Sequence, residues 1–276
     1  WAHKGDPITI SGGGPPPDFV GATPSSYYFW PWGDFWTNWS GTVTPNPALA
    51  TPVKLYTCPS EIRNLGAEVV PWGEPQNPPV AFTEYLGVDG LMGDIGPAGA
   101  PDASGTIPTP PDRSGILVFS DRTTKRKVNF ASISDGSSNT LMIGERPPSV
   151  NLDFGWWFAG AGYDGSGVGD ITLGAREWRY AENQVTGAVA GTYGATCPLS
   201  KTGFQPGSIN DTCDQVHFWS WHPGGANWTF GDGSARFITY NIDTPSVPPP
   251  TGQPIAQTTL TQLCTRNGGE VILGDY

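Results

Sequence analysis

The chain has 276 residues and a formal net charge of −11, and Gly and Pro together make up about a quarter of it. Its shortage of basic residues excludes a nucleic-acid-binding protein, which needs a basic surface to displace counterions. With 12 Trp, 12 Phe, 9 Tyr and only 14% charged residues, the composition also excludes an intrinsically disordered chain. An acidic exterior with few lysines favours an extracellular or cell-surface location.

Residues 1–20 predict an N-terminal extended arm. This segment contains a short β-prone stretch, which consists of Pro7, Ile8, Thr9, Ile10 and Ser11. Three glycines and three prolines follow the stretch. The stretch has little to bury by itself, and the glycines and prolines can project it towards a neighbour. We expect it to join subunits by adding a strand to an exposed sheet edge. An arm folded back on its own domain is the equal alternative.

Residues 21–276 predict a single β-rich domain. Short apolar and aromatic stretches alternate with turns rich in Gly, Pro, Asp and Ser, which is typical of sheet proteins with long loops. Residues 258–267 predict a short C-terminal helix that ends at Gly268 and Gly269. The expected fold class is therefore mainly β, with an antiparallel sheet, long Gly- and Pro-rich loops and this one helix.

A hairpin is predicted downstream of His222. Asp232 and Gly233 have the composition of a two-residue turn with two left-handed residues, and aromatic residues on both sides supply the strand faces. We expect the hairpin to bring Asp232 near His222, so that the imidazole makes a structural hydrogen bond to the turn.

The spacing of these residues resembles a motif of one bacterial family. His222 followed after nine residues by Asp232 and Gly233 is similar to the H-X9-DG prepilin-processing-associated motif of the pilin-like family of domain of unknown function 1559, also called bacterial solute-binding family ten. Further stretches resemble the same family, namely residues 53–60, 85–87, 115–118, 130–146 and 260–271. The resemblance implies a pilin-like globular head in which residues 53–60, 85–87 and 115–118 form strands.

The start of the chain departs from that family. Its members begin with a long apolar helix, whereas this sequence begins Trp1-Ala2-His3-Lys4 and contains no apolar run of about twenty residues, the length of a membrane span. We therefore expect no membrane span in this chain. We also expect it to polymerise through surface and arm contacts.

The four cysteines predict two disulfides outside the cytoplasm, because they lack the close paired spacings of a zinc site. Cys197 and Cys213 flank a short Gly- and Pro-containing loop, so we pair them. Cys58 and Cys264 then pair with each other. Four cysteines allow three connectivities, and this one is a preference among them.

No catalytic residue is predicted. His222 has no accompanying nucleophile motif. His217 lies five residues before it on a predicted strand, so the two side chains point to opposite faces, which argues against shared metal ligation. Glu145 and Glu177 could form a glycosidase carboxylate pair. However, nothing in the sequence brings them together, and ion pairs with nearby arginines are favoured.

The sequence also offers a candidate calcium site and candidate glycosylation sites. The loop containing Asp164 and Asp170 has the oxygen-rich composition of a calcium loop, although a plain turn is favoured, and no other cofactor is expected. Sequons at Asn38, Asn210 and Asn227 are candidate glycosylation sites.

Two functions fit these observations. The first is a structural subunit of an extracellular filament or cell-surface assembly, related to pilins or pseudopilins, whose partner is a second copy of itself. The alternative is a cell-surface module that binds carbohydrate or another solute, as the family's second name implies.

Overall fold

The computed structural model describes residues 50–69, 79–91, 114–118, 127–148, 152, 155, 172–175, 201, 203–244 and 258–269. The predicted arm at residues 1–20, the sequon at Asn38, Glu177, Cys197 and the loop with Asp164 and Asp170 lie outside the described residues. No helix in the described part of the chain is long and apolar enough to cross a membrane.

A five-stranded sheet organises the described residues. Its strands are β3 (Tyr85–Gly90), β4 (Leu141–Glu145), β5 (Thr172–Gly174), β6 (Gly225–Phe230) and β7 (Ala235–Thr239). Their order across the sheet is β5-β3-β4-β6-β7. A separate antiparallel pair joins β1 (Ala67–Val69) to β2 (Pro79–Ala81). The prediction of a mainly β fold is confirmed.

The sheet is mixed, because β5 lies parallel to β3 while the other neighbours are antiparallel. The parallel pair joins strands that are far apart in sequence, with Gly87 opposite Thr172. Parallel strands must be joined by a long crossover connection. Turn residues in the sequence therefore do not predict this pairing.

The core lies on one face of this sheet. In β6 the side chains of Ala226, Trp228 and Phe230 are buried at every second position, as the alternation of a strand requires. They pack with apolar residues from the neighbouring strands, the loops and the C-terminal helix, chiefly Leu86, Val88, Leu141, Leu173, Phe218, Ile238, Leu260 and Leu263.

The helix α1 spans Thr259–Cys264, which is shorter than the predicted 258–267. Thr258 and Thr261 form a capping box at its start, with each side chain accepting a hydrogen bond from the other residue's backbone N–H. The helix ends before Thr265, whose backbone is extended. Gly268 and Gly269 instead donate their backbone N–H groups to Asp135 at 2.7 and 2.9 Å, so the two glycines hold a neighbouring loop and do not cap the helix.

The predicted hairpin between β6 and β7 is confirmed, but its turn differs. Gly233 has a left-handed φ of 84°, whereas Asp232 does not have a positive φ. The Gly233 N–H donates to Phe230 O and the Phe230 N–H donates to Ser234 O, both at 2.9 Å. This is a three-residue loop with a left-handed glycine at its end, so the prediction of two left-handed residues is wrong.

Two segments that the family resemblance identifies as strands adopt other conformations. Residues 53–60 contain a 3-10 helix at Lys54–Tyr56, and Leu55 is 81% exposed, so no alternating apolar face exists there to favour a strand. Residues 115–118 form bends beside β3, held by a 2.9 Å hydrogen bond from the Gly115 N–H to Asp89 O.

The predicted Cys58–Cys264 disulfide is wrong, because both residues are buried thiols. Cys264 ends α1 and packs in the core. The Cys58 sulfur faces Glu145 and His222 at 3.6 Å from each. The sequence could pair these two cysteines only by elimination, and each thiol lies in a different environment. Cys213 is disulfide-bonded, and since Cys197 lies outside the described residues, the Cys197–Cys213 pairing stays a prediction.

Gly144 provides a test of the packing between β4 and β6. It lies opposite Trp228, and a Cβ at this position would come within 2.6 Å of the Trp228 ring and 2.8 Å of Phe218. Both rings are fully buried and pack in the core. We expect Gly144→Ala to lower the free energy of unfolding by about 1–3 kcal/mol, as overpacking does.

Urea denaturation followed by tryptophan fluorescence would measure this loss. Gly66→Ala is the matched control, because a Cβ at Gly66 would have no atom within 4 Å. Equal effects of the two substitutions would contradict the close packing of Trp228 on Gly144.

Candidate functional site

A pocket of about 360 Å³ opens beside the end of β4. Residues from distant parts of the chain line it, among them Pro59, Tyr85, Glu145, His222, Asn227 and Trp228. Strand pairing brings them together: Glu145 ends β4, Asn227 lies in β6, and Tyr85 begins β3 opposite Glu145. The pocket therefore depends on the register of three central strands.

Three side chains converge at this pocket. The Cys58 Sγ lies 3.6 Å from Glu145 Oε1 and 3.6 Å from His222 Nε2, and Glu145 Oε1 lies 3.4 Å from His222 Nε2. One ligand atom from each residue thus lies within 4.8 Å of the others, so the trio could hold a cation. We call these three residues the Cys58 cluster. Among the described residues this is the one such group of metal-ligating side chains.

The carboxylate of Glu145 is buried and oriented by Asn227. The Asn227 backbone N–H donates to Oε2 at 2.6 Å, and the side-chain amide lies 3.4 Å from Oε1 and 3.3 Å from Oε2. The backbone carbonyl of Glu145 accepts from the Trp219 N–H at 3.1 Å. These contacts fix one oxygen of the carboxylate and direct Oε1 at Cys58 and His222.

The loop that carries His222 is fixed by Ser220. The Ser220 Oγ accepts a hydrogen bond from the His222 N–H at 3.0 Å and donates to Gly225 O at 2.7 Å. The Tyr240 hydroxyl accepts from the Ser220 N–H at 3.0 Å. The imidazole is thus held in place through its backbone, while 28% of its side-chain surface stays open to solvent.

Cys58 lies in an acidic and apolar environment. Burial raises the pKa of its thiol, and the carboxyls of Glu145 and Glu84 raise the pKa further, although a backbone hydrogen bond at Ser60 opposes them. Burial is also the main cause that raises the pKa of Tyr85, whose hydroxyl contacts the thiol. The charge that Cys58 carries when it is ionised is the second cause. In the absence of a cation, Cys58 is therefore a neutral thiol at pH 7.

Glu84 and Glu61 form a pair of buried carboxyl groups beside the backbone of Cys58. The Cys58 backbone N–H donates to Glu84 Oε2 at 2.6 Å. Burial and a hydrogen bond with Glu61 raise the pKa of Glu84 to about 9. Burial alone would also raise the pKa of Glu61, but hydrogen bonds from Arg63, of 2.6 to 3.1 Å, lower it overall. Glu84 is therefore protonated at pH 7, while Glu61 carries the charge that pairs with Arg63.

Other predicted site residues lie elsewhere. Asp232 is exposed at the turn, where its Oδ1 accepts from the Ser234 N–H at 2.8 Å. Six residues of β6, about 20 Å of extended chain, separate that turn from His222, so the predicted bond between them is wrong. His217 is buried, and its Nε2 lies 2.9 Å from Asp214 Oδ1.

The sequons within the described residues have different surroundings. Asn210 is exposed on a turn. Asn227 is also exposed, but its side-chain nitrogen contacts the Glu145 carboxylate. Glycosylation at these two positions stays a prediction, and at Asn227 a glycan would be attached to the nitrogen that contacts Glu145.

The roles of Cys58 and Glu145 were missed by sequence reasoning. His222 was recognised only through the H-X9-DG spacing, which directs attention to Asp232. The residues that meet the imidazole come from positions 164 and 77 residues earlier in the chain. No local spacing signals such a group, since only the pairing of β3, β4 and β6 assembles it.

The protonation of Glu84 predicts a pH dependence of stability. An exposed glutamate has a pKa of about 4.3, so between that value and about 9 folding takes up a proton at Glu84. The contribution of this proton to the free energy of unfolding is fully present below pH 4.3. It is lost as the pH rises through 9, by at most about 1.4 kcal/mol per pH unit. Glu84→Gln should abolish this slope, because the amide stays neutral.

Urea denaturation from pH 5 to pH 9 in the presence of a chelator would measure the slope. The matched control is Glu68→Gln, which replaces an exposed carboxylate of β1. If the wild-type protein and Glu84→Gln show the same pH dependence, then Glu84 is ionised in the folded protein.

One of three comparisons with known proteins gives a match. Neither the curated proteins nor the solved structures contain a match to this chain. Residues 27–245, about four fifths of the chain, match the family SBP_bac_10, described as protein of unknown function (DUF1559). The matched residues include β1 to β7 and all three members of the Cys58 cluster. The chain therefore belongs to the DUF1559 family.

Proposed function

We propose that this protein is a structural subunit of an extracellular filament or cell-surface assembly that polymerises with copies of itself. The observation that carries the proposal is the edge of the five-stranded sheet. Within the described residues, β7 pairs with β6 on one side only. An open edge offers a row of backbone groups to which another strand can bind.

The hydrogen-bond pattern identifies the groups on this edge. The Phe230 N–H donates to Ser234 O at one end of the hairpin, and the Tyr240 N–H donates to Gly224 O at the other. Since hydrogen-bonded pairs alternate along an antiparallel ladder, Arg236 and Ile238 bind β6. The N–H groups of Ala235, Phe237 and Thr239 then point away from the sheet.

The arm predicted at residues 7–11 suits this edge. Both β7 and the β-prone stretch are five residues long, and the stretch contains two isoleucines and a threonine. An added strand gains affinity from main-chain hydrogen bonds and specificity from alternate side chains. Phe237 is 43% exposed on β7 and offers an apolar surface to the incoming strand.

A cell-surface module that binds carbohydrate or another solute is the second candidate. The pocket at the end of β4 favours it, since Tyr85 provides aromatic surface beside the polar groups of Glu145 and Asn227. Negative-stain electron microscopy separates the two functions, because fibres support the subunit and dispersed monomers support the module.

Proline substitutions on the two partner strands test the assembly. Phe237→Pro removes an outward N–H without removing a bond to β6, and the double substitution Ile8→Pro and Ile10→Pro removes donors from the arm. We expect either variant to abolish fibres and leave a folded monomer. Electron microscopy and light scattering would show this.

Phe130→Ser is the matched control, because Phe130 is an aromatic residue that is 80% exposed and lies outside the five-stranded sheet. It should leave the fibres intact. Normal fibres from both proline variants would refute assembly through β7 and the arm.

A further inference from the structure

We infer that Cys58, Glu145 and His222 bind one zinc-type cation with tetrahedral coordination, and that its fourth position opens into the adjacent pocket. The ligands would be Cys58 Sγ, Glu145 Oε1 and His222 Nε2, the three atoms that converge in the Cys58 cluster. This inference does not depend on the proposed assembly, because none of the three residues belongs to β7 or to the arm.

The spacing of the three atoms matches one face of a zinc tetrahedron. With zinc–sulfur bonds of about 2.3 Å and zinc–nitrogen or zinc–oxygen bonds of about 2.0 Å, ligand atoms lie about 3.3 Å apart for N and O and about 3.5 Å apart when one is S. The observed separations are 3.4 Å for the N–O pair and 3.6 Å for each pair with sulfur. A cation can therefore bind with little movement of the side chains.

The separation of His222 and Glu145 is long for a direct hydrogen bond. An N–H···O hydrogen bond spans about 2.7–3.2 Å, which is shorter than the 3.4 Å between His222 Nε2 and Glu145 Oε1. By contrast, Glu145 Oε2 accepts from the Asn227 N–H at 2.6 Å. The carboxylate thus makes its strong hydrogen bond with one oxygen and directs the other at the centre of the cluster.

A catalytic cysteine triad is a poorer interpretation of the geometry. In such a triad one imidazole nitrogen faces the thiol and the other faces the carboxylate. Here Nε2 of His222 faces both Cys58 and Glu145. A single nitrogen cannot take the thiol proton while donating to the carboxylate, but it can act as one ligand of a cation that the other two residues share.

The donor set selects the class of cation. Sulfur and imidazole ligands suit Zn²⁺ and related transition metals, whereas Ca²⁺ and Mg²⁺ require oxygen ligands. Binding would replace the thiol proton of Cys58, which leaves to solvent. With three protein ligands, a tetrahedral zinc ion keeps one position for water or another ligand.

The surroundings provide the support that a metal site needs. Asn227 fixes the carboxylate of Glu145, and Glu84 holds the backbone of Cys58. Cys58 and Glu145 are buried, while His222 is partly open to solvent and gives the cation a way in. Because Glu145 and His222 both line the pocket, the fourth position faces it.

Cobalt binding to the full chain tests the inference. Metal-free protein is titrated with Co²⁺, which reports a thiolate ligand by near-ultraviolet charge-transfer absorption and tetrahedral geometry by its visible bands. Competition with Zn²⁺ then gives the zinc affinity. We expect one cation per chain, with both spectral signatures.

Substitutions within the cluster identify the ligands. Cys58→Ser should abolish the charge-transfer absorption, and His222→Gln and Glu145→Gln should each weaken zinc binding by at least about 100-fold, since even a residue that only orients a ligand contributes 10- to 100-fold. The matched controls are Cys264→Ala and His3→Gln, which change a thiol and an imidazole outside the cluster. Both controls should bind zinc as the wild-type protein does.

Stability in the presence of a chelator separates loss of a ligand from loss of fold. If Cys58→Ser does not fold, His222→Gln decides, because its side chain is partly exposed and tolerates replacement. Wild-type affinity in a folded His222→Gln variant, or no bound cation in the wild-type protein, would overturn the metal site. Visible cobalt bands that do not respond to added azide would overturn the open fourth position.

Discussion

The contact between Trp228 and the backbone of Gly144 determines where the other parts of the described structure lie. The indole can cover β4 only because the residue opposite it has no side chain. This contact fixes the register of β4 against β6, and a shift of one residue would turn every side chain of the strand to the other face. Glu145, the next residue along β4, thereby meets the backbone of Asn227.

Burial of acidic groups is the second constraint on the site. Glu84, Glu61 and Glu145 all lie out of solvent around Cys58, and three buried carboxylates would repel one another strongly. The protein limits this repulsion by keeping Glu84 protonated and by pairing Glu61 with Arg63. Glu145 accepts a hydrogen bond from the Asn227 N–H and lies 3.4 Å from His222 Nε2, and a cation bound beside it would offset its charge.

The sequence predicted the elements that depend on neighbouring residues. Local alternation and turn residues predict the hairpin after residue 225 and the short C-terminal helix. The parallel β3–β5 pair and the Cys58 cluster could not be predicted, because they depend on contacts between residues far apart in the chain. The cysteine count misled for the same reason, since an even number does not reveal that Cys58 faces an imidazole.

The β7 edge of the sheet has a consequence for the shape of any fibre built on it. A contact between an arm and β7 joins two different surfaces, so each subunit would give one and receive the other. Such head-to-tail contacts generate open chains instead of closed two-fold dimers. The resulting fibre would be polar: one end would present an unoccupied β7 and the other an unused arm, and the two ends would grow at different rates.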